Sequence, residues 1–270
     1  MSSESDESMK DYKFLFKTVQ SGAIRVLVEA LKEILTDVNL EIDETGVKIV
    51  AMDSSHVALV YMKLLSENFE RFYSDGSVVC GISMIRLYKL LKIMSPCDTI
   101  CMFVTKNEPS EMQIHIETPE KGLRHKFSLR LMDLLIEKVS IPPAEFSSVL
   151  RIPSSDFQKL CRDMNNLADE IEIKSSGNQL TFSINNDWMT QETIMGESAS
   201  VSGLSYIQNL APDTVIQGIF SIKKFVLFTK CTNLCQNIEM YLKNDYPIII
   251  KYNVANLGEI KFCLAPRNTD

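Results

Sequence analysis

The 270-residue sequence has little of what several classes of protein require. It contains no run of about 18 apolar residues, which a membrane-spanning helix needs. Its first ten residues are rich in serine and acid and lack the apolar stretch of a secretory signal, so we expect a short disordered tail over 1–10. Without a secretory signal, the seven cysteines indicate reduced thiols in a cytosolic or nuclear protein.

Residue sets that carry catalysis or bind metal are also missing. Asp53, Ser55 and His56 have the residue types of a catalytic triad, but neighbours this close point in different directions and cannot form a relay. Cys231 and Cys235 lie four residues apart, without a second Cys or His pair to complete a zinc site. No glycine-rich phosphate loop is present. We therefore expect no enzymatic activity, no cofactor and no metal site.

What the sequence does contain is one pattern that recurs four times. In each unit an alternating apolar segment leads to a serine, a favoured helix N-cap, and about a dozen residues of helical pattern follow. The intervals between successive serines are 62, 71 and 67 residues. The serines are Ser21, Ser83, Ser154 and Ser221, and the predicted helices are 21–34, 83–94, 154–165 and 221–232.

Short segments with period-two patterning separate these helices and predict β-strands joined by turns. Examples are 47–52, 99–104, 170–174 and 248–254. Four units make two similar halves, so we expect an α+β protein in which antiparallel sheets are backed by four helices, two in each half. The predicted boundaries are an N-terminal domain over 11–130, a connector over 131–146 and a C-terminal domain over 147–267.

Charge is distributed unevenly between the predicted helices and the rest of the chain. The net charge of −7, taken alone, argues against nucleic-acid binding. The four helices, however, hold ten basic and four acidic residues, a net of +6, whereas the remainder holds 18 basic and 31 acidic residues, a net of −13. Any surface helix can have a charged face, but four repeated basic helices in an acidic chain favour contact with phosphates.

The segment MDSSHVALV at 52–60 resembles one of the most recognisable stretches of the proliferating cell nuclear antigen family, the eukaryotic-type DNA sliding clamps. Further similarities follow in order at 131–134, 161–163, 228–230 and 264–266, and the resemblance extends over roughly residues 12–267. It implies a ring of three subunits, each with two similar domains, whose helices line a central hole and whose sheets form the outside. DNA would pass through the hole while the ring tethers polymerases and repair enzymes.

The resemblance also implies two sets of site residues. The DNA-facing residues are Arg25, Lys32, Lys89, Lys92, Arg162 and Lys230. A pocket beneath the connector would bind a short partner peptide, in which a glutamine precedes one aliphatic and two aromatic anchors. Its residues are Met52, His56, Val57, Leu59, Val139, Ile141, Phe146, Pro247, Ala265 and Pro266. Subunits would join edge strand to edge strand through 123–129 and 188–195.

The implied partners are duplex DNA without sequence specificity, polymerases, nucleases and ligases that carry the peptide, an ATP-dependent clamp loader, and two further copies of the chain. The implied location is the nucleus, or a viral replication compartment for a viral chain. Cys263 stands where most family members have an aromatic residue, which should enlarge one side of the pocket. Two alternatives with the same fold stay open: a subunit of a heterotrimeric checkpoint clamp, and a monomeric viral processivity factor.

Overall fold

The computed structural model describes residues 8–135, 139, 144–198 and 203–267. These residues form two compact units, each assembled from separate stretches of sequence. Unit 1 takes 8–51, 61–135, 139 and 253–260, and unit 2 takes 52–60, 144–198, 203–252 and 261–267. The segment 52–60, which carries the family-like motif, therefore packs with residues far from it in the sequence.

Unit 1 is built from antiparallel strands and two helices. A five-stranded sheet has the order β5-β1-β7-β8-β9, and a second set of neighbours has the order β4-β3-β2-β6. The helices are α1 (Ser21–Ile34) and α2 (Met84–Leu91), which contact each other. The strands are β1 (Tyr12–Thr18), β2 (Asp37–Asp43), β3 (Gly46–Met52), β4 (Ala58–Leu65), β5 (Arg71–Ser74), β6 (Val78–Ser83), β7 (Thr99–Thr105), β8 (Glu111–Thr118) and β9 (Leu123–Arg130).

Unit 2 repeats this arrangement. One four-stranded antiparallel sheet has the order β13-β12-β11-β15, and a second set of neighbours has the order β14-β10-β16-β17-β18. The helices α3 (Ser154–Asn165) and α4 (Ile222–Phe228) contact each other, and a 3-10 turn, Thr229–Leu234, continues α4. The strands are β10 (Ser148–Pro153), β11 (Glu170–Ser176), β12 (Gln179–Asn185), β13 (Thr190–Gly196), β14 (Ser205–Asn209), β15 (Ile216–Ser221), β16 (Asn237–Leu242), β17 (Ile248–Val254) and β18 (Gly258–Leu264).

The four helices begin at or directly after the four serines of the repeat, Ser21, Ser83, Ser154 and Ser221. The expected reason was wrong, because within the described residues no serine hydroxyl caps a helix. Main-chain carbonyls bind the first helical amides instead: the Ser154 amide donates to the Gln236 carbonyl at 2.8 Å, and the Met84 amide donates to the Thr36 carbonyl at 2.9 Å. Tertiary contacts therefore satisfy the otherwise unpaired amides at these helix starts.

Apolar side chains at spacings of three and four residues fix one face of each helix against a sheet. In α1 the buried residues include Ile24, Leu27 and Leu31, each contributing roughly 1.5–3 kcal/mol of burial free energy. In unit 2 the ring of Phe228, from the end of α4, stacks on the ring of Phe262 of β18 at 4.5 Å between centroids. This packing leaves the polar face of each helix away from the core.

Candidate nucleic-acid interface and peptide pocket

Four of the six predicted DNA-facing residues share the same environment. Each has an exposed side chain on or at the end of a helix, and none forms a salt bridge with another described residue. They are Lys89 and Lys92 on or directly after α2, Arg162 on α3, and Lys230 in the turn after α4. An exposed ammonium or guanidinium without an acidic neighbour is available to a phosphate.

The other two predicted DNA-facing residues, Arg25 and Lys32 of α1, are half-buried. The Lys32 ammonium forms an ion pair with Glu33 and lies 4.6 Å from the centre of the Tyr88 ring of α2. The hydrogen bond to Glu33 raises the pKa of Lys32, although burial opposes it. The Nε of Arg25 is buried, without a hydrogen-bond partner among the described residues. Both side chains are therefore partly enclosed where α1 meets α2.

On α4 the two lysines at the start of the helix have acidic partners. Lys223 forms a 2.7 Å ion pair with Asp169, in which both side chains are at least 70% exposed. Lys224 forms an ion pair with Asp53, whose side chain is only 2% exposed. The positive charge counted on this helix from the sequence is thus partly neutralised, and Lys230 remains as its basic residue without an acidic partner among the described residues.

Asp53 organises the loop that carries the family-like motif, which we name the pocket loop (residues 53–58). One carboxylate oxygen of Asp53 accepts hydrogen bonds from the amides of Val57, at 3.0 Å, and Ala58, at 2.9 Å. The other oxygen accepts from the Ser55 hydroxyl and the Lys224 ammonium, and that ammonium also donates to the Ser55 oxygen at 3.0 Å. Every described group around this carboxylate stabilises its charged form.

The pKa of Asp53 reflects this environment. Burial alone would raise the pKa of its carboxyl group, but the hydrogen bonds from Lys224, Ser55 and the two amides outweigh burial. They lower that pKa from 3.8 to about 2. Asp53 is therefore a structural anion of the pocket loop, a role that no pattern in the sequence indicated.

The pocket loop closes on itself and presents its middle residues to solvent. The Asp53 amide donates to the Ala58 carbonyl at 2.8 Å, and the His56 amide donates to the Asp53 carbonyl at 3.0 Å. His56 has a φ of 55°, a left-handed conformation that costs a non-glycine residue on the order of 1 kcal/mol. His56 is exposed and Val57 is 39% exposed. The carboxylate of Asp53 thus holds a strained loop with two of the predicted pocket residues at its surface.

The C-terminal segment 265–267 runs beside this loop. The Ala265 amide donates to the Val57 carbonyl at 3.2 Å, and the Arg267 amide donates to the Ile219 carbonyl at 2.8 Å. The Arg267 guanidinium also forms an ion pair with Glu170. These contacts fix the backbone on both sides of Pro266, which is half-buried. The structure therefore places predicted pocket residues from opposite ends of the chain next to one another in unit 2.

The remaining predicted pocket residues are distributed as follows. Met52, Leu59 and Pro247 are half-buried in unit 2, and the half-buried Phe146 packs edge-to-face on Tyr241 at 5.4 Å. Val139 is half-buried and belongs to unit 1, whereas Ile141 lies outside the described residues. Cys263 is 8% exposed in β18, and burial raises the pKa of its thiol to about 11. Its thiol is thus protonated at neutral pH and acts as a small apolar side chain.

The two predicted subunit edges are edge strands in the structure. β9 ends the five-stranded sheet and β13 ends the four-stranded sheet, so one side of each backbone has no strand partner among the described residues. The second strand begins at Thr190 rather than at Trp188, because the Asn186 side chain accepts the amides of Trp188 and Met189 and so forms a turn. The basic residues of β9 are Arg124, Lys126 and Arg130, and the acidic residues in or flanking β13 are Asp187, Glu192 and Glu197.

Across the described ranges, no three His, Cys, Asp or Glu side chains lie close enough together to hold a metal ion. None of the helices in the same ranges is long and apolar enough to cross a membrane.

Two units of antiparallel sheet, each with a pair of contacting helices, define a two-domain clamp fold. The family models for the N-terminal and C-terminal domains of proliferating cell nuclear antigen match residues 14–139 and 140–267. The chain therefore belongs to the proliferating cell nuclear antigen family. It is also 33% identical over 264 residues to the "Probable DNA polymerase sliding clamp 1" of Paramecium bursaria Chlorella virus 1, covering 96% of this chain and 99% of that protein.

Proposed function

We propose that this chain is a DNA sliding clamp, a non-catalytic processivity factor that encircles duplex DNA and tethers replication and repair enzymes. The observation that carries the proposal is the match of both clamp domains along the whole of residues 14–267. Three copies would close into a ring, which an ATP-dependent loader would open on DNA. Its compartment would be the nucleus, or the replication compartment of a virus, and a viral relative is consistent with a role in replication.

Exposed basic residues on the helices support the DNA contact. Lys89, Lys92, Arg162 and Lys230 have no acidic partner among the described residues, so phosphates would be their counter-ions. Lysine and arginine contacts to phosphate position a protein on DNA without reading its sequence. A ring held in this way can slide, because each contact is equivalent to the next one along the duplex, and closure rather than affinity prevents escape.

The pocket loop and the C-terminal segment support the partner site. His56, Val57 and Pro266 form a partly apolar surface, in which the Val57 amide donates to the Asp53 carboxylate and the Val57 carbonyl accepts from the Ala265 amide. Aromatic anchors that enter such a surface typically dominate the binding energy of a peptide. We therefore assign this surface, together with the other predicted pocket residues, to peptides carried by polymerases, nucleases and ligases.

The edge strands support the ring. A head-to-tail contact joins two different surfaces of neighbouring copies and closes only when the rotation per subunit fits. β9 and β13 are two different unpaired edges, one basic and the other flanked by acid. Opposite charges would steer β9 of one copy toward β13 of the next and disfavour pairing of like edges.

Native mass spectrometry of the purified chain tests this assembly. A species of three times the 30.6 kDa chain mass supports a homotrimeric clamp. A monomer at micromolar concentration would instead favour a monomeric viral processivity factor. A trimer that forms only with other, related chains would favour a subunit of a checkpoint clamp.

A further inference from the structure

We propose that Lys224 is a positioning residue for the peptide pocket: it holds the pocket loop in its binding conformation by pairing with Asp53. The inference rests on the proposed function, because it assumes that the pocket loop binds a partner peptide. Lys224 lies on helix α4 and is 171 residues from Asp53 in the sequence. It belongs neither to the motif at 52–60 nor to the predicted pocket residues.

The geometry around Asp53 carries the argument. Its side chain is 2% exposed, and its first oxygen is occupied by the amides of Val57 and Ala58. The second oxygen is held by Ser55, from the loop itself, and by Lys224, the one cation paired with it among the described residues. A buried carboxylate that loses its cation keeps a large desolvation penalty, so the loop is expected to rearrange to expose the charge.

Loss of the Lys224–Asp53 ion pair is expected to displace the pocket loop. His56 has a left-handed backbone, and such a conformation persists only where surrounding contacts hold it. The contacts that hold it pass through Asp53, whose backbone and side chain bind the amides of His56, Val57 and Ala58. Release of the carboxylate would therefore displace the exposed His56 and Val57 together, and these are the residues of the loop that a peptide would meet.

The ion pair also connects two sites within unit 2. Lys224 precedes Lys230 by six residues in the same helical segment, so the pocket loop is attached to a helix that carries a proposed DNA contact. The neighbouring Lys223 differs in one respect that makes it a matched control. Its partner, Asp169, is exposed, and an exposed ion pair contributes little to structure.

The test compares Lys224→Met with Lys223→Met in the full-length protein, because each change removes one charge from the same helix. The ligand is a synthetic peptide with a glutamine, an aliphatic and two aromatic anchors, and its affinity is measured by calorimetry. We expect Lys224→Met to bind about tenfold more weakly than the wild type, and Lys223→Met to stay within roughly twofold. Lys224→Arg, which keeps the charge, should recover most of the affinity.

A double-mutant cycle separates positioning from a general loss of stability. If Lys224 acts through Asp53, Asp53→Asn combined with Lys224→Met should bind no more weakly than the weaker single variant. Equal affinity of Lys224→Met and the wild type, or fully additive losses in the cycle, would overturn the proposal. Should Lys224→Met not fold, Ser55→Ala replaces it, because that change removes a hydroxyl that is hydrogen-bonded to both Asp53 and Lys224. Wild-type affinity, or fully additive losses with Asp53→Asn, would again overturn the proposal.

Amide hydrogen exchange provides a readout that needs no peptide. In Lys224→Met the Val57 and Ala58 amides should lose protection, whereas the amides of strand β10 should keep theirs. If the wild type itself does not bind the peptide, the proposed pocket is wrong, and hydrogen exchange then decides the positioning role alone. Unchanged protection of Val57 and Ala58 would overturn it.

Discussion

The Lys32 ammonium lies 4.6 Å from the centre of the Tyr88 ring, so a lysine of α1 packs over an aromatic residue of α2. The same ammonium pairs with Glu33. A cation over an aromatic face stabilises the packing of the two helices, and the pairing with Glu33 reduces the charge available to a ligand. Lys32 and Lys89 therefore differ in environment, although the resemblance predicts the same role for both.

This difference predicts different consequences for Lys32→Ala and Lys89→Ala. Lys89→Ala should weaken DNA binding and reduce the slope of log affinity against log salt by about one per phosphate contact removed. Lys32→Ala should change that slope less but lower the free energy of unfolding by about 0.5–1 kcal/mol, the typical worth of an exposed cation–π contact. Binding isotherms over a salt series and urea unfolding measure the two effects. Equal salt slopes for the two variants would contradict the distinction.

Charge reversal on the two edge strands tests the ring contact. Lys126→Glu with Arg130→Glu makes β9 acidic, and Glu192→Lys with Glu197→Lys makes β13 basic. Each pair alone should weaken the trimer, because like charges then face each other, whereas the four changes together in one chain should restore it. Sedimentation velocity at low salt measures the assembly.

An odd-membered ring adds a control to that experiment. When the two double variants are mixed, a closed trimer must contain two copies of one variant, and where these two copies meet, β9 and β13 carry charge of the same sign. Mixing should therefore restore dimers but not closed trimers. A single chain with all four changes has no such mismatch. Trimers of normal stability in both double variants would show that β9 and β13 do not meet.

Cys263 is expected to set which peptide anchors the pocket accepts. Replacing it with tyrosine should reduce the affinity for peptides with the largest aromatic anchors more than for those with smaller anchors, because added volume fills space next to the pocket. Cys263→Ser changes the volume little and is the matched control. Calorimetry with tryptophan-anchored and phenylalanine-anchored peptides measures the ratio of the two affinities. An unchanged ratio in Cys263→Tyr would place this residue outside the pocket wall.

The Asp53 carboxylate predicts a specific dependence of stability on pH. Its pKa is lowered from 3.8 to about 2 in the folded protein, so its charged form contributes about 2 kcal/mol of stability at pH 5. Because the folded-state pKa is the lower one, this contribution is present above pH 4 and is lost as the pH falls toward 2. Urea unfolding of the wild type and Asp53→Asn should therefore show a stability gap that narrows by roughly 1 kcal/mol between pH 5 and pH 3. A constant gap would contradict the assigned environment.

Local patterns in the sequence predicted the helices well where the helix is long and amphipathic. Helices 21–34 and 154–165 have the predicted bounds, since their apolar faces span the whole segment. The fourth helix ends at Phe228 and changes to a 3-10 turn, where the side-chain hydroxyls of Thr229 and Thr232 donate to main-chain carbonyls. The predicted length of that helix was therefore wrong, and so was that of the second helix, which extends over Met84–Leu91 instead of the predicted 83–94.

The contacts that hold the pocket loop could not have been predicted in the same way. Asp53 and Lys224 are 171 residues apart, and neither the spacing nor the type of either residue indicates that they meet. The serines that mark the helix starts are another example, because at three of the four helices the first amide donates to a carbonyl far away in the sequence, that of Thr36, Asp169 or Gln236. Sequence patterns report local periodicity, whereas pairing between distant polar groups depends on the assembled fold.

The most direct test of the central proposal is retention on DNA of defined topology. Clamps are loaded by an ATP-dependent loader onto nicked circular DNA, separated from free protein, and the circle is then cut once with a restriction enzyme. A sliding ring predicts stable retention on the circle at physiological salt and rapid loss after the cut, because only closure holds it. Retention that is equal on circular and linear DNA, or absent from both, would contradict the account.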